Sequence, residues 1–176
     1  MSRQLAKQIL AASKEIQTEV DTFYCPPEEG GRVRHGSVVS PSIVKGTRSY
    51  IERIAQQVNG TYESGFYDAC AVMIRRLIET LIIETFEHHG IANRIKNGRD
   101  PQGNFLQLGD LVSRTLSETS WNLTRNAKQV LPRLKDVGDR SAHSRRFLAQ
   151  RSDIDRIQPD VRLIVQELVL LSGLRK

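Results

Sequence analysis

From Ser64 to His88 the chain carries apolar residues around almost the whole circumference of a helix, and this stretch constrains the fold more than any other. At about 100° per residue, Phe66, Cys70, Met73, Ile74, Leu77 and Leu81 share one face, and Val72, Ile82, Ile83 and Phe86 widen it. A helix that is apolar on nearly every side belongs at the centre of other helices. It does not read as a membrane span. Its longest unbroken apolar run, Ala69 to Ile74, falls far short of the roughly 18 residues a span needs. Gly90 follows as a terminator.

One stripe on this helix is polar: Asp68, Arg75 and Glu79 project in nearly the same direction, with Val72 among them. Charged groups on an otherwise buried helix must be paired or wet. Arg75 and Glu79 are four residues apart, so the spacing predicts that they pair with each other, and Asp68 and the later Asp139 are expected to complete a structural polar network with them.

The surrounding sequence supplies the partners. An amphipathic helix is expected from about Ser2 to Phe23, with Leu5, Ile9, Ala12, Ile16, Val20 and Phe23 on one face. Breakers fill the segment from Tyr24 to about Ser40, and Ser40-Pro41 is placed to open a second helix. Its strong periodicity runs through Tyr50, Ile51, Ile54 and Val58, and Asn59-Gly60 predicts a left-handed stop. After a polar linker, 93–104, helices are expected over Phe105–Leu116 and Thr124–Val137, the latter ending at Gly138. A last helix carries Val161, Ile164, Val165, Leu168 and Leu171, with Pro159 in its first turn. No stretch alternates as a strand does. The expectation is an all-α, single-domain bundle of five or six helices, with residues 1–40 as an N-terminal helix and loop and 41–176 as the bundle.

Two cysteines, Cys25 and Cys70, lie far apart, and a reduced, cytoplasmic setting is the simplest reading. The N-terminal residues mix charge into their apolar repeat and lack the apolar core of an export signal. Cys25, His35, His88 and His89 have no zinc spacing, so no metal and no cofactor is expected. Glu87-His88-His89 suits the negative end of a helix dipole. Gly31-x-x-x-x-Gly36-Ser37 lacks the lysine of a phosphate loop and reads as a turn.

The net charge is +6, and most of it lies in one window. Between Thr124 and Arg156 there are nine Lys/Arg against four Asp. Such clustering suits a phosphate-bearing partner such as RNA, and a solvated helix surface has the same look. Within the window, Gly138-Asp139-Arg140-Ser141-Ala142-His143 is followed by Arg145 and Arg146. If Asp139 opens a new turn, Arg140 and His143 share a face. An imidazole exchanges protons near neutral pH, and a guanidinium forks onto phosphate. Asp139 equally suits a helix cap, and His143 a hydrogen bond across the bundle.

Two stretches, Tyr62 to Glu84 and Leu134 to Phe147, resemble the HEPN superfamily of helical domains, closest to a branch without assigned activity. The resemblance rests on Arg75-Arg76-x-x-Glu79 and on Gly138-Asp139-x-x-Ala142-His143, and with their spacing it extends from Tyr50 to the C-terminus. It implies an α-helical bundle, a homodimer and, in active members, metal-independent RNA cleavage. Active members place an Arg with four to six residues between it and the His. Here those positions hold Asp136, Val137 and Gly138, while Arg140 is too close and Arg133 too far. The resemblance therefore implies a helical interaction module, an accessory or sensor part of a larger system such as a defence system. It would contact RNA through Arg140, Arg145 and Arg146 and bind a protein partner. The alternative is a ribonuclease with a site shared across a dimer, using His143 and Arg140.

Overall fold

A computed structural model describes residues 37–98 and 103–175, together with helical positions 4, 7, 8, 10–15 and 18; of residue 143 it describes the helical backbone only. Most of the expected N-terminal apolar face, the loop with Cys25 and His35, and the Gly31–Gly36 turn lie outside the described residues.

The chain is an all-α, single-domain bundle. After the short helix α1 (Pro41–Val44), α2 (Ser49–Glu63) and α3 (Tyr67–His88) form an antiparallel pair. A 3-10 turn (Ala92–Ile95) leads to α4 (Leu108–Ser117), α5 (Arg125–His143) and α6 (Arg151–Leu171). Among the described residues there is one isolated antiparallel bridge, Lys96 with Phe105, and no strand. No described helix is long and apolar enough to cross a membrane.

The expected centre is the real one. Helix α3 packs against α2, α4, α5 and α6. Cys70, Ile74, Leu77, Ile78, Leu81, Ile82 and Phe86 are almost completely buried. The Phe86 ring meets Trp121 edge-on, with centroids 4.9 Å apart. Gly90, at φ 70°, terminates the helix, and the Ile91 N–H returns to the Phe86 carbonyl at 3.0 Å. The Cys70 thiol is free and donates to the Val58 carbonyl at 3.5 Å; burial pushes its pKa up to about 12, so it stays a thiol at neutral pH.

The helix expected from Phe105 starts at Leu108, because Phe105 pairs with Lys96 instead. Helix ends also differ from expectation at three local breakers, each outweighed by a contact or cap elsewhere. Asn59-Gly60 does not stop α2, which continues to Glu63 and reverses at Gly65, φ 77°. The Asn59 amide is occupied instead by Val39: its Oδ1 accepts the Val39 N–H at 3.0 Å and its Nδ2 donates to the Val39 carbonyl at 2.9 Å. That clamp holds the fully buried Val38-Val39 pair against the bundle.

Gly138 does not end α5; the helix passes through it to His143. A Cβ at Gly138 would lie 2.8 Å from the Arg75 Cβ. The missing side chain is thus what lets α5 and α3 approach, a packing role for glycine in a helix interior. Pro159 is not in the first turn of the last helix either. Helix α6 starts eight residues earlier, at Arg151, where Gln150 and Asp153 form a capping box. Burial of Ile154 and Ile157 on the added turns offsets the missing hydrogen bond of an internal proline.

Candidate functional site

The residues that sequence reasoning singles out gather where α5 ends, the 144–150 linker crosses and α6 begins, over the N-terminal half of α3. Asp68 Oδ1, on the first turn of α3, accepts the Ala149 N–H at 2.9 Å. This bond ties the linker to the central helix.

Arg75 does not pair with Glu79. Its partner is Asp139 on α5, with Nε 3.1 Å from Oδ1. The approach is out of line for a hydrogen bond, so the contact is chiefly charge on charge. Asp139 Oδ2 also takes Lys135 Nζ at 2.7 Å. The hydrogen bond to Asp139 is the main cause of a raised Lys135 pKa. Asp139 therefore bridges two cations and is not a helix cap. Its side chain is 29% exposed and that of Arg75 23%, so the network is half-buried. Close approach at Gly138 presents Arg75 to α5, and the register of α5 puts Asp139 one residue on. Glu79 sits half-buried on the same stripe.

Gly138-Asp139-Arg140-Ser141-Ala142-His143 is therefore not a helix junction. It is the last part of a continuous α5, with Arg140 and residue 143 three apart on helical backbone. The side chain of His143 lies outside the described residues. The Arg140 guanidinium stacks over the Phe147 ring at 4.6 Å from its centroid, and the Ser141 Oγ is shielded without a hydrogen-bond partner among the described residues. Arg145 and Arg146 are exposed on the linker. Among the described residues no acid forms an ion pair with Arg140, Arg145 or Arg146.

Two further polar groups escape sequence reasoning. The Tyr62 hydroxyl donates to Asp155 on α6, and Arg151 Nε lies 3.5 Å from Asp155 Oδ2. Burial first, and then the bond to Asp155, raises the Tyr62 pKa. Glu84 is only 6% exposed on α3; it takes Arg48 Nε at 2.9 Å and the Tyr50 hydroxyl. Each partner is more than 30 residues away in sequence. Helical periodicity, which reports only neighbours on one helix, carries no sign of them.

His89, beyond the end of α3, packs its ring on Trp121 at 4.9 Å and lies within 3.2 Å of the Leu171 carbonyl. No cluster of three or more His, Cys, Asp or Glu suited to a metal occurs among the described residues.

The chain has no significant match to any protein-family model, curated protein or solved structure.

Proposed function

We propose that this chain is a cytoplasmic, HEPN-like helical interaction module that acts as a homodimer and contacts RNA without cleaving it, as an accessory or sensor component of a larger, defence-type assembly. The observation that carries this reading is the charge arrangement at the α5–α6 corner. Arg140, Arg145 and Arg146 are exposed and unpaired by described acids, while the half-buried Asp139 on the same helix end is neutralised by Arg75 and Lys135. Among the described residues, positive charge is thus left uncompensated at the corner, the condition for phosphate contact.

The experiment is RNA binding across a salt series. Single-stranded RNA is expected to bind weakly, with an affinity that falls as salt rises. Replacing Arg140, Arg145 and Arg146 together by Ala should flatten the logarithmic salt slope by about 0.7 for each phosphate that is no longer neutralised. An unchanged slope and affinity in the triple variant removes the corner from the interface.

The dimer is tested separately by light scattering after gel filtration. A mass near twice the chain's 19.9 kDa is expected at micromolar concentration. A 19.9 kDa species throughout that range contradicts it.

One observation favours the ribonuclease as a second reading. Arg75 lies against α5 at Gly138 and Asp139, so a guanidinium from α3 stands one turn before residue 143. A charge missing from α5 itself would then come from the neighbouring helix, if Arg75 exchanged Asp139 for a phosphate.

A further inference from the structure

The outer surface of the α2–α3 pair carries a second cationic feature. Two hollows adjoin along α2, sharing Arg53 and Gln57. One, of about 480 Å³, is lined by Tyr50, Arg53, Arg76 and Thr80 among others. The other, of about 470 Å³, continues past Thr61 and Ser64 to Phe66. Together they follow α2 from Tyr50 to Ser64, about 21 Å at the rise of an α-helix.

The lining has an unusual balance. Among the described residues, neither hollow is lined by an Asp or Glu. Arg53 and Arg76 are exposed, and neither guanidinium makes an ion pair or hydrogen bond with a described residue; the Arg76 carbonyl accepts from the Thr80 hydroxyl at 2.8 Å. Aromatic rings stand towards the two ends: Tyr50 is 43% exposed and Phe66 42%. The Tyr50 ring is fixed from below, because its hydroxyl donates to Glu84. The Glu84 carboxylate is itself 7% exposed and paired with Arg48, so its charge is largely cancelled at the surface. Gln57, Thr61 and Ser64 add uncharged polar groups between the rings.

We propose that this groove is a track for single-stranded RNA, with Arg53 and Arg76 on backbone phosphates and the rings of Tyr50 and Phe66 as stacking surfaces for bases. Guanidinium groups fork onto phosphate oxygens, and exposed aromatics beside them are the two components of sequence-tolerant single-strand binding. An acidic peptide would satisfy the arginines and leave both rings without a role. The groove also has continuity with the α5–α6 corner. Asp68, two residues beyond Phe66, holds the Ala149 N–H, so the linker bearing Arg145 and Arg146 is fastened to the first turn of α3, the helix that Phe66 precedes. The proposal rests on the reading of the chain as an RNA-contacting module and gives that RNA a path.

The test uses the full chain and a fluorescein-labelled oligouridylate, with anisotropy read across a salt series. Arg53→Gln/Arg76→Gln and Arg145→Gln/Arg146→Gln are compared with the wild type. Thermal melts show whether each variant remains folded; all four side chains are exposed, so unchanged melts are expected. The groove variant is expected to bind at least about tenfold more weakly, with a salt slope reduced by about 1.4, corresponding to two neutralised phosphates. An oligomer carrying 4-thiouridine should crosslink to Tyr50 or Phe66. If the groove variant binds like the wild type while the linker variant is weakened, the groove proposal is overturned and the corner reading stands. If only the groove variant is weakened, the track stands and the corner reading fails. If the wild type does not bind, both fail. Equal competition by polyglutamate, with crosslinks confined to 144–149, also overturns the track: the groove is then a general anion surface.

Discussion

Gly138→Val is expected to destabilise the protein by about 1–3 kcal/mol, the usual cost of forcing extra volume into a packed contact. A Cβ at this position would meet the Arg75 Cβ at 2.8 Å and its Cγ and Cδ at 3.3 Å. The nearest of these atoms is fixed to the α3 backbone, so a change of rotamer cannot withdraw it. Helices α3 and α5 must move apart, and that movement also lengthens the Arg75–Asp139 contact from its 3.1 Å. At this chain length each kcal/mol corresponds to roughly 2–4 °C in Tm, so a fall of several degrees should appear in a thermal melt. Gly60 is the matched control. It too lies within a helix, but a Cβ there would meet nothing within 4 Å. Gly60→Ala should therefore stabilise by about 0.5–1 kcal/mol, the ordinary gain on removing glycine from a helix interior. A Gly138→Val protein that melts with the wild type would mean that the two helices are not in close contact.

The two glycines also mark the limit of what the sequence makes legible. Periodicity identifies α3 almost to the residue, because its signal is carried by many side chains on one continuous helix and its terminator, Gly90, has no competing partner. Asn59-Gly60 and Gly138 are local stop signals of similar strength, yet neither stops anything. At Asn59 the amide is claimed by Val39, twenty residues back; at Gly138 the absent side chain is claimed by Arg75 on another helix. Pro159 follows the same rule, since the capping box at Gln150 and the burial of Ile154 set the helix start upstream of it. The polar stripe is legible as a stripe and misread as a pair. Spacing on α3 makes Glu79 the obvious partner of Arg75, whereas Asp139 approaches from α5, 64 residues further along. The three exposed arginines of the corner are legible from charge alone. The groove is not, because Arg53 and Arg76 come from different helices and gain meaning only when α2 and α3 are laid side by side.

The purified protein is expected not to cleave RNA in the presence of EDTA. In-line attack on a phosphodiester requires a proton acceptor and a charge stabiliser held together on one phosphate. His143 is the candidate acceptor, on the last residue of α5. The positions at which the resemblance to HEPN domains leads one to expect an Arg hold Asp136, Val137 and Gly138. Asp136 is exposed and negative, Val137 has no donor, and Gly138 is pressed against Arg75. Arg140 is stacked on Phe147, and Arg75 is held at Asp139 by a carboxylate that Lys135 also grips. To serve a phosphate, Arg75 would have to leave Asp139 half-satisfied, a cost that opposes the transition state. Structured and unstructured RNA should both survive prolonged incubation, with EDTA silencing contaminating metal-dependent nucleases. Robust cleavage that disappears in His143→Ala would overturn the non-cleaving reading and establish the ribonuclease. Arg75→Lys would then identify the stabiliser: it keeps a positive charge near Asp139 but loses the fork, so a large fall in rate with an unchanged melt would assign Arg75 to the phosphate. Cleavage that persists in His143→Ala would place the activity elsewhere than at this helix end.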